Sequence, residues 1–280
     1  MSIKNLKTQF INNPLEYRYI LSIPRNVNFG LELELNNIDF DMVYHLVKKK
    51  IGGNFLIKTD KSLTKGLNAE IVTPVLQNRK ETWIMLKKLG LLLQKLNPEY
   101  DKCSFQVNFD SNLLDNFAAK RRFLKLYAVY EDIVYRFSKG EDIEYRDSLE
   151  MYASPIILTL KGLDDSDDDY FDIFTDSKRY GISFKTKPKN LIEFRTPNAT
   201  SNPILWQNYI TFFYYLLVYA NSSKCNEKEL DEYINNFGKL FLLEYYENLH
   251  QEKAEELGNR IFNNTCDKVY FLQQYIGLKK

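Results

Sequence analysis

Residues 29–35, which read Phe-Gly-Leu-Glu-Leu-Glu-Leu, constrain the fold of this chain more than any other stretch. Apolar and acidic side chains alternate from Leu31 to Leu35, and a period of two is typical of a β-strand with one buried face. The leucines are therefore expected to point into a core, while Glu32 and Glu34 share the other face, about 6–7 Å apart. Glutamate is depleted in strands. The pair indicates either a solvated outer face of a sheet or a bound cation.

The composition is that of an ordinary globular protein and excludes several classes of function. The chain has 280 residues and a formal net charge of +1, which disfavours nucleic acid and anionic membranes as partners. Its three cysteines are an odd number without a Cys-x-x-Cys pair, which disfavours zinc and disulfides and favours a reducing compartment. No apolar signal segment opens the chain, and its longest apolar stretch, 209–220, is too short to span a bilayer. We therefore expect a cytoplasmic protein.

The periodicity along the chain predicts an α+β fold with a helical C-terminal segment. Alternation and turn residues predict strands over 27–35, 54–58, 68–73, 104–109, 180–185 and 190–195. Helical spacing predicts helices from the cap Asp39 to Lys50, over 78–96, over 113–138, from Pro203 to about 219, and from Glu227 onward. The simplest organisation is a lead-in over 1–24, a main domain over 25–220, and helices over 221–280 that pack on the same domain.

Four of the predicted strands share one design, with an apolar face and a face that bears functional groups. Glu70 is the single charge among the apolar residues of its strand. Gln106 and Asn108 share a face opposite phenylalanine and valine, and Glu193 and Arg195 share a face opposite isoleucine and phenylalanine. If these faces belong to one surface of a sheet, they line a single cleft with four carboxylates, two amides and a guanidinium.

Such a cleft predicts a divalent cation and a phosphate. Four carboxylates close together repel each other and raise one another's pKa values, and a cation removes that cost. Oxygen ligands favour magnesium or manganese over zinc. An arginine two residues from a carboxylate ligand can hold a phosphate with two parallel hydrogen bonds. These are the components of phosphoryl transfer from ATP. The alternative is a set of unrelated amphipathic strands with wet faces, and the residues alone do not decide between the two.

Six segments in this order resemble the amidoligase family, within the carboxylate–amine ligase superfamily of glutamine synthetase and glutamate–cysteine ligase. They lie within about residues 27–220, and residues 221–280 carry no matching motif. The segments are Phe-Gly-Leu-Glu-Leu-Glu at 29–34, Thr-Asp-Lys-Ser-Leu at 59–63, Ala-Glu-Ile-Val-Thr-Pro at 69–74, Cys-Ser-Phe-Gln-Val-Asn at 103–108, Tyr-Arg-Phe at 135–137, and Leu-Ile-Glu-Phe-Arg-Thr-Pro-Asn-Ala-Thr at 191–200.

The resemblance implies a curved antiparallel β-sheet that forms an active-site cleft, binds ATP with Mg²⁺ or Mn²⁺, and is packed with helices. It implies a ligase that phosphorylates a small-molecule or peptide carboxylate, whose acyl phosphate is then attacked by an amine to form an amide. The metal ligands it implies are Glu32, Glu34, Glu70, Gln106 and Glu193. The catalytic set it implies is Glu32, Glu34, Glu193 and Arg195, in which Arg195 contacts the transferring phosphate or the substrate carboxylate. The groups it implies for the nucleotide or substrate are Asp60, Asn108, Arg136, Arg146 and Arg179.

The chain departs from the family at one position in the motif series. The family commonly has His-x-His where this chain has Gln106-Val107-Asn108, and the two histidines of the chain, His45 and His250, lie elsewhere. An amide oxygen is acceptable to magnesium but is a weaker ligand than an imidazole for a metal that accepts nitrogen. One alternative is therefore a protein that keeps the fold and binds nucleotide without turnover. Another is a different metal-dependent phosphoryl-transfer enzyme or nuclease, although the near-zero net charge argues against a nucleic-acid substrate.

Overall fold

The computed structural model describes residues 15–63, 66–140, 149–163, 171–187, 190–238 and 249–277. Within these ranges the chain forms an antiparallel sheet of seven strands together with α-helices, which confirms the predicted α+β class. None of the helices in these ranges combines the length and the apolar character that crossing a lipid bilayer requires.

The strands pair in the spatial order β2-β3-β1-β5-β7-β6, and β4 pairs with the start of β1. Their bounds are β1 Asn28–Asn36, β2 Leu56–Lys58, β3 Asn68–Val72, β4 Leu76–Gln77, β5 Phe105–Asp110, β6 Ile182–Lys185 and β7 Leu191–Phe194. The six strands expected from alternation are all present, within two residues at each end. The two-residue β4 was not predicted, because a segment this short shows no measurable period.

The helices of the described chain follow the predicted pattern in part: the stretches over 113–138 and from Glu227 onward are each divided, and the helices over 149–152 and 157–161 were not predicted. The bounds of the helices are α1 Phe40–Lys50, α2 Lys80–Leu96, α3 Phe117–Val129, α4 Glu131–Ser138, α5 Leu149–Tyr152, α6 Ile157–Lys161, α7 Pro203–Asn221, α8 Glu227–Asn236, α9 Gln251–Ile261 and α10 Thr265–Ile276. Asp39 caps α1 as expected, because its Oδ1 accepts the Met42 N–H at 2.7 Å. Short 3₁₀ turns lie at Ser111–Leu113 and Asp172–Phe174.

The prediction of one helix over 113–138 is wrong, because two local features divide this stretch. Asn116 accepts the Ala119 N–H at 2.9 Å, and this cap starts α3 at Phe117 rather than at residue 113. Tyr130 then leaves helical geometry, with φ −108° and ψ 19°, and α4 starts at the next residue, Glu131. Because Tyr130 interrupts the stretch, α3 and α4 are separate helices.

The two faces of the sheet are chemically distinct. Leu31, Leu33 and Leu35 are at most 3% exposed, as the alternation predicted. The face that bears them is covered by aromatic side chains, among them Trp206 of α7, which stacks on Phe105 of β5 with ring centroids 5.7 Å apart. Because helices cover this face, the polar side chains of the same strands are left on the other face.

The helices at the C-terminal end of the described chain pack on α4 and α7. The Asn208 side chain of α7 donates to Gln274 Oε1 of α10 at 2.8 Å, and Gln274 Nε2 donates to the Phe137 carbonyl of α4 at 2.9 Å. Both amides are buried, at 3% and 5% exposure. Buried amides that satisfy one another fix the relative placement of three helices.

Candidate functional site

The register of the sheet puts the polar side chains of four strands on one face. Glu34 lies directly opposite Glu70, and Glu32 lies opposite Gln106. Asn108 lies opposite Glu193. Residues directly opposite each other in antiparallel strands project from the same face. The structure therefore brings together seven of the side chains singled out in the sequence: Glu32, Glu34, Glu70, Gln106, Asn108, Glu193 and Arg195.

A cavity of about 750 Å³ lies over this polar face. Among the described residues, its lining contains six basic and five acidic side chains. Asp60 and Lys61 line it from the β2–β3 loop, and Met151 and Tyr152 line it from α5. A pocket with this lining suits a small, hydrophilic and highly charged ligand better than an apolar one.

The end of the pocket formed by β1 and β3, here called the acidic end, holds Glu32, Glu34, Glu70 and Lys58. Lys58 Nζ lies 3.1 Å from Glu70 Oε1, and Glu34 Oε2 accepts the Ser104 N–H at 2.6 Å. Burial, together with a hydrogen bond to Glu32, raises the pKa of Glu70 to about 7, and Lys58 opposes the rise. Glu70 is therefore partly protonated at neutral pH.

The end of the pocket formed by β6 and β7, here called the ion-paired end, holds Glu193, Arg195 and Lys185. Glu193 Oε1 lies 2.5 Å from Arg195 Nη1 and 3.3 Å from Lys185 Nζ. Arg195 Nε donates to the Tyr152 carbonyl at 3.1 Å. Glu193 is 4% exposed, so its charge is balanced inside the protein by two cationic neighbours rather than by water.

The two ends differ in how they fit the divalent cation implied by the resemblance. At the acidic end, a cation can replace the proton on Glu70. Asn108 donates to Glu32 Oε1 at 2.8 Å, and its own Oδ1 is buried without a hydrogen-bond partner. Glu193 faces two cationic side chains instead and does not fit a ligand role in this arrangement. Among the described residues, no group of three or more His, Cys, Asp and Glu is arranged to hold a metal ion.

The remaining predicted residues take several different positions. Asp60 lines the pocket, where its Oδ1 accepts the Ser62 N–H at 2.6 Å. Arg136 does not line the pocket: its Nε donates to the Tyr275 carbonyl at 3.1 Å on α10. Arg179 is exposed, with its guanidinium 5.6 Å from the ring centroid of Tyr180. Arg146 lies outside the described residues.

Sequence reasoning missed the lysines of the pocket. Lys58 lies directly opposite Glu70 in the β2–β3 pairing. Lys185 lies two residues after Ser183 on the same face of β6, and Ser183 lies directly opposite Glu193. Both lysines stand on the polar face by alternation, so the period of two was an available signal. The register that decides which carboxylate each lysine meets is not contained in the alternation.

Comparison with known proteins does not identify this chain. It matches no family model and no curated protein. A functional assignment therefore rests on the pocket and on the motif resemblance described above.

Proposed function

We propose that this protein is an ATP- and magnesium-dependent ligase that joins a carboxylate to an amine through an acyl phosphate, on the curved sheet and cleft of an amidoligase. One observation carries the proposal: a single charged pocket holds a cluster of three glutamates at one end and an oriented arginine at the other. This arrangement supports phosphoryl transfer, because a cation and a guanidinium can both act on one phosphate chain.

The acidic end is the proposed metal site. Glu32 and Glu70 would hold Mg²⁺ or Mn²⁺, with Glu34 and the Gln106 amide oxygen beside them. When bound, the ion neutralises charge on the phosphates of the nucleotide. The raised pKa of Glu70 means that metal binding at neutral pH would displace a proton from Glu70.

The ion-paired end is the proposed anion site. Arg195 would contact the transferring phosphate or the substrate carboxylate, and a guanidinium can do so with two parallel hydrogen bonds. Glu193 would orient Arg195, since the two already lie 2.5 Å apart. We therefore revise the role of Glu193 from metal ligand to partner of the arginine.

The reaction proceeds in two displacements. A carboxylate oxygen attacks the γ-phosphorus of ATP, and ADP leaves. The amine nitrogen then attacks the acyl carbon, the amide bond forms, inorganic phosphate leaves, and the nitrogen releases a proton to a pocket carboxylate or water. The largely ionic lining favours small polar acids and amines or the polar end of a peptide.

The proposal is tested by incubating the protein with ATP, Mg²⁺ and a panel of acid and amine pairs, and by measuring ADP and inorganic phosphate. Formation of both products in proportion to an amide is the expected result. AMP and pyrophosphate from the productive pair would refute the acyl-phosphate route. An Arg195→Lys variant serves as the negative control for the site, and an Arg136→Lys variant serves as a matched control away from the pocket.

The second candidate is a nucleotide-binding protein of the same fold without turnover. It is favoured by the amides Gln106 and Asn108, where the family commonly has histidines, and by the engagement of Glu193 with two cations. Thermal unfolding with and without ATP and Mg²⁺, measured beside the turnover assay, separates the two candidates. Stabilisation by the nucleotide with no product from any substrate pair would favour this second function.

A further inference from the structure

The Tyr-Arg-Phe segment of α4 sends its three side chains to three different places. Phe137 lies in the main hydrophobic core, and Arg136 packs against α10. Tyr135 is fully buried in a separate small cluster with Leu149 and Ala153. These two residues belong to the segment that contains α5, and α5 lines one wall of the pocket. Within this motif, Tyr135 is therefore the residue that contacts the pocket wall.

The hydroxyl of Tyr135 holds the backbone to which the pocket arginine is bound. It donates to the Ala153 carbonyl. The neighbouring Tyr152 carbonyl accepts from Arg195 Nε at 3.1 Å, and Arg195 Nη1 donates to Glu193 Oε1 at 2.5 Å. Two adjacent carbonyls of one backbone segment thus link α4 on one side with the ion-paired end of the pocket on the other.

The same segment is fixed to the strands close to Tyr135. The Gly181 N–H donates to the Ser154 carbonyl at 3.0 Å, and the Arg195 N–H donates to the Gly181 carbonyl at 2.8 Å. A Cβ added at Gly181 would lie 2.8 Å from the Tyr135 hydroxyl oxygen and 2.8 Å from Thr196 Cγ2. These hydrogen bonds connect the segment at Ser154 through Gly181 to the backbone of Arg195, and the absence of a side chain at Gly181 leaves room there for the Tyr135 hydroxyl.

We propose that Tyr135 is a positioning residue of the pocket: its hydroxyl fixes the backbone at residues 152–153, and the Tyr152 carbonyl directs the Arg195 guanidinium towards Glu193. The geometric part of this inference is independent of the reaction. Its consequence for turnover rests on the proposed function, in which Arg195 contacts the reacting phosphate or carboxylate.

The test is a Tyr135→Phe variant, which removes the hydroxyl and keeps the ring in the small cluster. Tyr215→Phe is the matched control, because Tyr215 is also buried and its hydroxyl also donates to a backbone carbonyl, that of Ser22, at 3.0 Å. Solvent exchange of the Arg195 Nε–H is followed by nuclear magnetic resonance, with the signal assigned by its loss in Arg195→Lys. We expect exchange about tenfold faster, and kcat about tenfold lower, in Tyr135→Phe than in the control.

Each outcome bears on a different part of the inference. Unchanged exchange at Arg195 in folded Tyr135→Phe would overturn it, and so would an equal change in the Tyr215→Phe control. If Tyr135→Phe does not fold, Leu149→Ala loosens the same segment through its apolar contact and is expected to speed exchange at Arg195 in the same direction; no change there would also overturn it. If the wild-type protein turns over no substrate pair, the proposed function fails while the exchange measurement still decides the role of Tyr135.

Discussion

At the acidic end of the pocket, three glutamates lie beside one lysine, whereas at the ion-paired end one buried glutamate lies between an arginine and a lysine. The consequence is visible in the pKa of Glu70, which burial and Glu32 raise to about 7 although Lys58 lies 3.1 Å away. Glu193 has two cations, at 2.5 Å and 3.3 Å. The acidic end has fewer cations than carboxylates, and the ion-paired end has more.

A glutamate on the polar face of a strand therefore acquires its role from the strands beside it. β1, β3 and β7 each carry glutamate among apolar residues, yet their carboxylates meet different partners across the sheet. A carboxylate pair with too few cations is suited to bind a metal ion, and a carboxylate that orients an arginine is suited to help bind an anion. The pocket would then bind a magnesium-bound phosphate chain, with the metal ion at the acidic end and the phosphate oxygens at the ion-paired end.

The largest expected effect is at the ion-paired end. Replacing Arg195 with Lys keeps the charge but removes the planar fork that can hold two oxygens, so turnover is expected to fall on the order of 10²-fold. The measurement is kcat for ADP release per folded molecule, with urea unfolding of the same preparation. A loss of stability without a change in kcat would show that Arg195 serves the fold rather than the reaction.

The acidic end makes a prediction about pH. Because folding raises the pKa of Glu70 from 4.5 to about 7, the folded state binds its proton more tightly than the unfolded chain does. The contribution of Glu70 to stability is therefore fully present below about pH 4.5 and is lost as the pH rises through 7, by about 1–3 kcal/mol in total. Urea unfolding across this window, in wild type and Glu70→Gln, measures it as the difference between the two curves.

Adding Mg²⁺ to the same unfolding measurement tests the proposed metal site. If the ion takes the place of the proton on Glu70, it stabilises the wild-type protein more at pH 8 than at pH 5.5, and Glu70→Gln loses most of that dependence. A wild-type-minus-variant difference that stays constant with pH would contradict the raised pKa of Glu70. Equal stabilisation by Mg²⁺ at both pH values would contradict the metal site.

The sequence predicts well which side chains share one face of a strand, and it predicts poorly which residues they meet on the neighbouring strands. Alternation placed Glu32 and Glu34 on one face of β1, because the period of two dictates side-chain direction in any strand. The surface that they share with Glu70 was a hypothesis that depended on the pairing of β3 with β1. It could not show that Lys58 meets Glu70 or that Lys185 meets Glu193, because register depends on turns and on packing across the sheet. The balance of acidic and basic side chains at each end of the pocket could therefore not be predicted from the sequence.

The prediction of the helices from the sequence is limited in a similar way. The apolar pattern of 113–138 runs through the break at Tyr130, because both α3 and α4 bury most of their residues and the pattern does not change there. Within α4, Tyr135 contacts the segment that lines the pocket and Arg136 contacts α10. No local pattern distinguishes these two sides of a buried helix.

The acidic end can be modified to test whether it selects a metal. Gln106 lies directly opposite Glu32, so a histidine there would bring an imidazole to the proposed metal site. Gln106→His is expected to tighten Mn²⁺ relative to Mg²⁺ by about 1–2 kcal/mol, because Mn²⁺ accepts nitrogen more readily. Calorimetric titration of both ions measures it, with Gln77→His on β4 as a control outside the pocket lining. An unchanged Mn²⁺ to Mg²⁺ ratio would remove Gln106 from the site.

The smallest effect is expected at Arg136, where the motif resemblance and the structure lead to opposite results. The resemblance implies that Arg136 holds phosphate or substrate, but its Nε donates to the Tyr275 carbonyl and its guanidinium lies 5.6 Å from the centroid of the Tyr275 ring. Arg136→Met is therefore expected to lower the free energy of unfolding by about 0.5–1.5 kcal/mol, through the lost hydrogen bond, and to leave ATP affinity unchanged.

The control for this prediction is Arg179→Met, at an exposed position, which should change the free energy of unfolding by less than about 0.5 kcal/mol. Urea unfolding and nucleotide titration on the same samples measure both quantities. Weakened ATP binding at full stability in Arg136→Met would place this arginine in the site after all, and would mean that α4 contributes Arg136 as well as Tyr135.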